Sequence, residues 1–151
     1  IYENIKFGVA YNPYFLTKKE ISLERNSLIK KLNSGIVNSI WFQFGSNLDA
    51  LNKEIKFIKN NITAQSNSEI KLYGSILVPS KQFLARFKFR PWKGVNLTEE
   101  FLNSLEISTS ITKEIYKLYY KNNITPLVET ECSTIKQFNE VKNLFKDILY
   151  E

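Results

Sequence analysis

The sequence predicts an α/β domain in which parallel strands alternate with helices. Two observations carry that expectation. Short apolar runs rich in β-branched and aromatic residues recur four times, each followed by turn residues. Between them lie longer segments whose apolar residues return every three or four positions, the helical spacing. Strands joined by helical crossovers run parallel to one another.

The first run, Ile5 to Ala10, stops at the turn signal Asn12-Pro13. Thr17-Lys18-Lys19-Glu20 then reads as a capping box. The helix it opens places Ile21, Leu28 and Leu32 on one face and stops at Gly35, which tolerates a left-handed terminal conformation. Ser39 to Phe44 is the second strand, ending at Gly45-Ser46-Asn47. Leu48, Leu51, Ile55, Ile58 and Ile62 form the next helical stripe, and Ala64 to Ser68 reads as polar loop. Ile70 to Val78 is the third strand, closed by Pro79-Ser80. Lys81 to Val95 has no regular period. Thr98-Glu99-Glu100 opens a short helix to about Leu105, and Ile111, Ile115, Leu118 and Tyr119 mark a longer one ending at Asn122-Asn123. Leu127 to Thr130 is the fourth strand. Thr134 to Gln137 is a second capping box, and Ile135, Phe138, Val141, Phe145 and Ile148 run down the last helix. Four strands do not close a barrel, which takes eight. An open doubly wound sheet, with helices on both faces, is the alternative, although no Gly-rich phosphate loop follows the first strand.

Composition narrows the chemistry. The 151 residues include no histidine and one cysteine. Histidine-based acid–base catalysis, histidine-ligated metals and Ser-His-Asp triads are therefore excluded, and so is an internal disulfide. No metal site is expected, and Cys132 is read as an inert packed or capping residue. The net charge is +6. Its lysines are dispersed rather than blocked, so neither nucleic acid nor a membrane surface is expected as partner. No apolar run approaches the ~20 residues that span a bilayer, and no signal-peptide pattern opens the chain, so a cytoplasmic location is expected. The sequence starts at Ile1 and has no methionine, which suggests processing or a piece of a longer protein.

Several segments, in order, resemble the methylenetetrahydrofolate reductase family. They are Phe7 to Pro13, Glu24 through Lys31 with Gly35, Phe42-Gln43, Gly74 to Ser80, and Gly94-Val95-Asn96-Leu97 with Glu99-Glu100. The resemblance implies a single partial domain over residues 1–151, the C-terminal half of a (β/α)8 TIM barrel, strands five to eight. It implies an oxidoreductase that passes hydride from NAD(P)H through FAD to 5,10-methylenetetrahydrofolate. The family's acidic groups near the flavin ring and the leaving nitrogen come from the first four strands. No catalytic residue is therefore assigned here, and the isolated chain is expected to be inactive. Its partners would be a folate-type small molecule and either the missing N-terminal half of the barrel or another subunit. A non-catalytic half-barrel that binds a folate-like ligand is the second reading.

Barrel active sites lie at the C-terminal ends of the strands. The candidates are Asn12, Gln43, Ser80 and Glu129 with their neighbours. Gln43, in an apolar strand, must find hydrogen-bond partners, and its amide offers a donor and an acceptor to a pterin edge; the alternative is an amide satisfied by nearby backbone. Glu24 and Lys31, seven residues apart, share a helix face. By resemblance they contact the flavin with Asn12, the acid through ribityl hydroxyls and the lysine through phosphate; by themselves they read as a solvated surface. Arg86 to Lys93 alternates basic and aromatic residues, suited to stacking an aromatic ligand while cations hold carboxylates. By resemblance Phe89, or else Phe87, packs on the aminobenzoate of folate and Arg90 faces its glutamate tail. The alternative is an amphipathic segment with its phenylalanines in the core. Glu129 is either a buried carboxylate with a raised pKa or a solvated one.

Overall fold

A computed structural model describes residues 5–65 and 70–146. The elements are β1 (Phe7–Tyr11), α1 (Lys18–Leu32), β2 (Val37–Phe42), α2 (Leu48–Gln65), β3 (Lys71–Leu77), α3 (Lys81–Phe89), α4 (Glu99–Asn103), α5 (Leu105–Lys121), β4 (Thr125–Glu129) and α6 (Ile135–Lys146). The four strands form one parallel sheet in the order β1-β2-β3-β4.

That order has no reversal, so right-handed crossovers all return on the same side. Burial follows. In β2, Val37, Ile40 and Phe42 are buried while Asn38 and Trp41 are exposed; in β3, Leu72, Gly74 and Ile76 are buried beside exposed Lys71. The helices stand side by side on the buried face, α1 against α2, α2 against α5 and α5 against α6. The core joins Tyr11, Ile40, Phe42, Leu72 and Ile76 of the sheet to Leu28, Leu51, Ile55, Ile58, Ile115 and Tyr119 of the helices. Each such side chain contributes ~1.5–3 kcal/mol of burial free energy. Gly74 is required in β3 because the Tyr119 ring lies where a Cβ would stand. Among the described residues the opposite face carries no helices; Gly8, Ala10 and Trp41 are exposed on it. The doubly wound alternative is therefore not the arrangement found.

A second apolar cluster, Phe44, Leu77, Phe83, Leu84, Phe87 and Phe101, closes the C-terminal end of the sheet. It rests on α3, where no helix was expected. Phe83 and Phe87, one turn apart, point inward, and the Ser80 hydroxyl caps the helix by accepting from the Phe83 N–H at 2.9 Å. The basic–aromatic alternation from Arg86 hides this, because the buried aromatics Phe83 and Phe87 lie four residues apart while Phe89 and Trp92 are exposed.

Both capping boxes form. The Thr17 hydroxyl and Glu20 carboxylate each accept from the other's N–H, and Thr134 and Gln137 do the same at 3.2 Å each. Gly35 has φ +72°, the left-handed conformation expected of it. Other boundaries shift. Helix α2 runs through Gln65, so Ala64 is helical rather than loop, and 66–68 lie outside the described residues. Strand β4 begins at Thr125, because Pro126 is tolerated in an edge strand where its missing N–H costs no ladder bond. Ile148 also lies outside the described residues. The α6 stripe is only half covered: Phe145 is buried, whereas Ile135 is 81% and Phe138 56% exposed.

Candidate functional site

Parallel strands bring their C-terminal ends to one edge of the sheet. Just beyond β1 and β2 a cleft of about 260 Å³ opens, with Asn12, Glu24, Trp41, Gln43 and Ser75 among its walls. Asn12 is held on three sides. Its backbone N–H donates to the Glu24 carboxylate at 2.7 Å, its Nδ2 donates to the Gly94 carbonyl at 2.8 Å, and its Oδ1 accepts from the Tyr14 N–H at 3.0 Å. The last is an Asx turn, which folds the chain back over the end of β1.

Gln43 differs from expectation. It sits one residue past β2 and is exposed, not embedded in an apolar strand. Its N–H donates to the Tyr11 carbonyl at 2.8 Å, prolonging the ladder, and its Oε1 accepts from the Phe44 N–H at 3.1 Å. Nearby backbone thus takes the acceptor, while the amide hydrogens have no protein acceptor among the described residues.

Below the cleft lies a charged group that sequence reasoning missed. Glu54 of α2 is 5% exposed. It accepts from the Tyr11 hydroxyl and from Arg25, whose Nε and Nη2 reach its two oxygens at 3.0 and 2.6 Å. The Arg25 guanidinium also stacks over the Phe57 ring, 4.4 Å from its centroid. Burial, then the hydrogen bond to Glu54, raises the Tyr11 pKa well above the ordinary phenol value. The hydrogen bond to Glu54 raises that of Arg25. The available signal was Glu54 itself, a carboxylate set between Leu51, Ile55 and Ile58 on the apolar stripe of α2. The group locks β1, α1 and α2 together and reaches the cleft through Tyr11, which lines it with Asn12 and Gln43.

The other candidates lie apart. Lys31 is exposed in the last turn of α1. At 1.5 Å per residue it stands roughly 10 Å further along the helix than Glu24, and it does not line the cleft. Phe89 and Arg90 border a separate hollow of about 400 Å³, with Arg86, Trp92 and Glu131. Phe89 is 93% exposed, whereas Phe87 is buried, as is Phe83. Ser80 donates to Glu131 at 3.3 Å, and Arg86 pairs with the same carboxylate. The segment Trp92–Gly94 bridges the two hollows, since Gly94 binds Asn12 and the Trp92 ring meets Phe44 edge-on at 6.0 Å. Glu129 is exposed at the end of β4, so its solvated reading holds. The Cys132 N–H donates to the Thr130 hydroxyl at 3.3 Å, and the side chain is half-buried. Among the described residues no three His, Cys, Asp or Glu side chains come together as metal ligands, and no helix is long and apolar enough to cross a membrane.

Fold and site together define a parallel βα protein wound in one direction, with a polar cleft where strands end and helices begin, the place where such sheets bind ligands. No family model matches the chain, and no curated protein matches it.

Proposed function

We propose that this chain is the C-terminal half, strands five to eight, of a (β/α)8 barrel resembling the methylenetetrahydrofolate reductases, and that it works as part of a flavin-dependent oxidoreductase. One observation carries the reading. Asn12, Glu24 and Gln43, three residues that the resemblance singles out, share one cleft at the strand ends of a sheet whose strands follow chain order and whose helices line one face.

The cleft suits part of a flavin site. Asn12 and Glu24 are fixed to each other, and the Gln43 amide hydrogens are unengaged. Lys31 stands outside, so no phosphate contact within the cleft is assigned to it. At about 260 Å³ the cleft falls short of the ~300–1,000 Å³ of ordinary ligand pockets, as expected of a site whose remaining walls lie on other strands. When bound, FAD supplies the hydride relay between NAD(P)H and the folate. The residues of this chain position: Gln43 offers its amide to the pterin edge, Phe89 stacks the aminobenzoate and Arg90 holds the glutamate carboxylates. The second reading, a non-catalytic half-barrel that binds a folate-like ligand, is favoured by the separation of Lys31 from Glu24.

The test is the product of the complete reading frame. Yellow protein with flavin absorbance, oxidising NADH or NADPH in the presence of 5,10-methylenetetrahydrofolate and losing folate turnover but not flavin on Gln43→Ala, is the expected result. Colourless protein whose tryptophan fluorescence folate leaves unchanged ends both readings. Full turnover by the 151-residue chain alone contradicts its being half of a site.

A further inference from the structure

The hollow of about 400 Å³ beside α3 combines aromatic rings with two arginines and one carboxylate. Its exposed rings are held differently. Phe89 makes no ring contact among the described residues. The Trp92 indole meets Phe44, Phe83 and Phe87 at steep angles, with centroids 6.0, 5.7 and 6.2 Å away. Its backbone is fixed as well. The Trp92 carbonyl accepts from the Val95 N–H at 3.2 Å, and the Gly94 carbonyl in the same turn accepts from Asn12. Three rings and a turn thus position an indole that is still 49% exposed. A flat ligand stacking on such a ring has little side-chain freedom to freeze.

The two guanidiniums differ too. Glu131 accepts from Arg86 through one oxygen and from the Ser80 hydroxyl, at 3.3 Å, through the other. Arg90, four residues further on, has no side-chain partner among the described residues. The acidic residues outside the described ones, Glu3, Glu69, Asp147 and Glu151, adjoin in sequence the first residues of β1 and β3 and the last of α6. Those element ends lie at the opposite end of the sheet, one strand length or roughly 20 Å from the hollow.

We propose that Trp92 is the stacking ring of this hollow, that Arg90 takes one carboxylate of the ligand, and that Glu131, by holding Arg86, keeps a second anionic group out. The inference rests on the reading of Phe89 and Arg90 as a folate-tail site and adds two residues that set its specificity. One carboxylate on Arg90 leaves Arg86 and Glu131 as a neutral pair. A second one on Arg86 would have to displace Glu131 from both Arg86 and Ser80 and then stand beside its charge.

The test is calorimetric titration of the product of the complete reading frame with 4-aminobenzoylglycine, which has one carboxylate, and 4-aminobenzoylglutamate, which has two. Wild type should bind them within ~3-fold of each other, as an exposed ion pair can enforce. Trp92→Leu should weaken both ~10-fold, and Trp92→Phe should keep most of the affinity. Glu131→Gln should favour the glutamate compound alone by at least ~3-fold, an advantage lost again in Glu131→Gln/Arg86→Gln. Binding that Trp92→Leu and Glu131→Gln leave unchanged overturns the inference and leaves the folate reading standing. Binding of neither compound, nor of folate, overturns both. Arg90→Gln, a surface change, serves if Trp92→Leu does not fold, and should weaken both compounds equally.

Discussion

Arg25 and Glu54 lie 29 residues apart on different helices, and the arginine grips the carboxylate through two nitrogens while the Tyr11 hydroxyl takes a share of the same group. The carboxylate side chain is 6% exposed and the guanidinium 35%. Glu54 is therefore tolerable inside only because Arg25 and Tyr11 answer it.

Arg25→Ala leaves that carboxylate buried without a counter-charge. Breaking a fully buried pair costs ~3–5 kcal/mol; with the arginine a third exposed, about 2 kcal/mol is expected. Arg25→Ala/Glu54→Leu should regain most of it. Urea denaturation of the single and double variants measures both, and equal losses would show that Arg25 acts by packing on Phe57 alone.

Alkaline pH should unfold the protein from about the ordinary phenol value of 10.0 upward. Burial is the leading cause of raised pKa values at Tyr11, Tyr14 and Tyr119. A group whose folded pKa lies above its unfolded one contributes fully below the unfolded value and loses that contribution as pH rises beyond it. The fall should be steeper than one phenol produces. Fluorescence-detected melting between pH 8 and 11.5 reads the slope.

Tyr14→Phe should flatten that slope without cost at neutral pH. Its hydroxyl is buried beside that of Tyr119 and has no partner at bonding geometry among the described residues, so removing it should stabilise by up to about 1 kcal/mol. A loss of stability would reveal a partner for the hydroxyl.

Gly74→Ala should destabilise by ~2–3 kcal/mol, the cost of overpacking. The new Cβ meets the Tyr119 ring, which is 0% exposed and has nowhere to go. Gly35→Ala loses through its positive φ instead, by ~1 kcal/mol. Thermal melts of the two variants separate packing from backbone strain, since Tyr119→Leu should relieve only the first.

Asn12→Ala should loosen the rim of the cleft while sparing the core. It removes the bond to Gly94 and the acceptor for the Tyr14 N–H, but not the backbone N–H that reaches Glu24. Faster hydrogen exchange over Gly94 to Leu97 with a nearly unchanged melting temperature is the expected signature.

Much of the frame was readable locally. Thr17 with Glu20 and Thr134 with Gln137 announce their helix starts because a capping box is made from residues three apart. The stripe Leu51, Ile55 and Ile58 shows the buried face of α2 for the same reason. Helix α3 stayed hidden because Phe89 and Trp92 blur a period that only Phe83 and Phe87 obey. Asn12 and Gln43 could be picked out as strand-end residues, but not the cleft they share with Glu24, nor the distance that keeps Lys31 out of it.

The order of strands and helices was thus already present in the sequence by itself, because caps, turns and apolar periods are contests between neighbours along the chain. Only tertiary structure decided that all the crossovers fall on one face, that Glu54 is answered by Arg25 and Tyr11, and that Gln43 emerges into solvent. Each of those outcomes depends on which distant segments exclude water from one another, and no local window of residues holds that information.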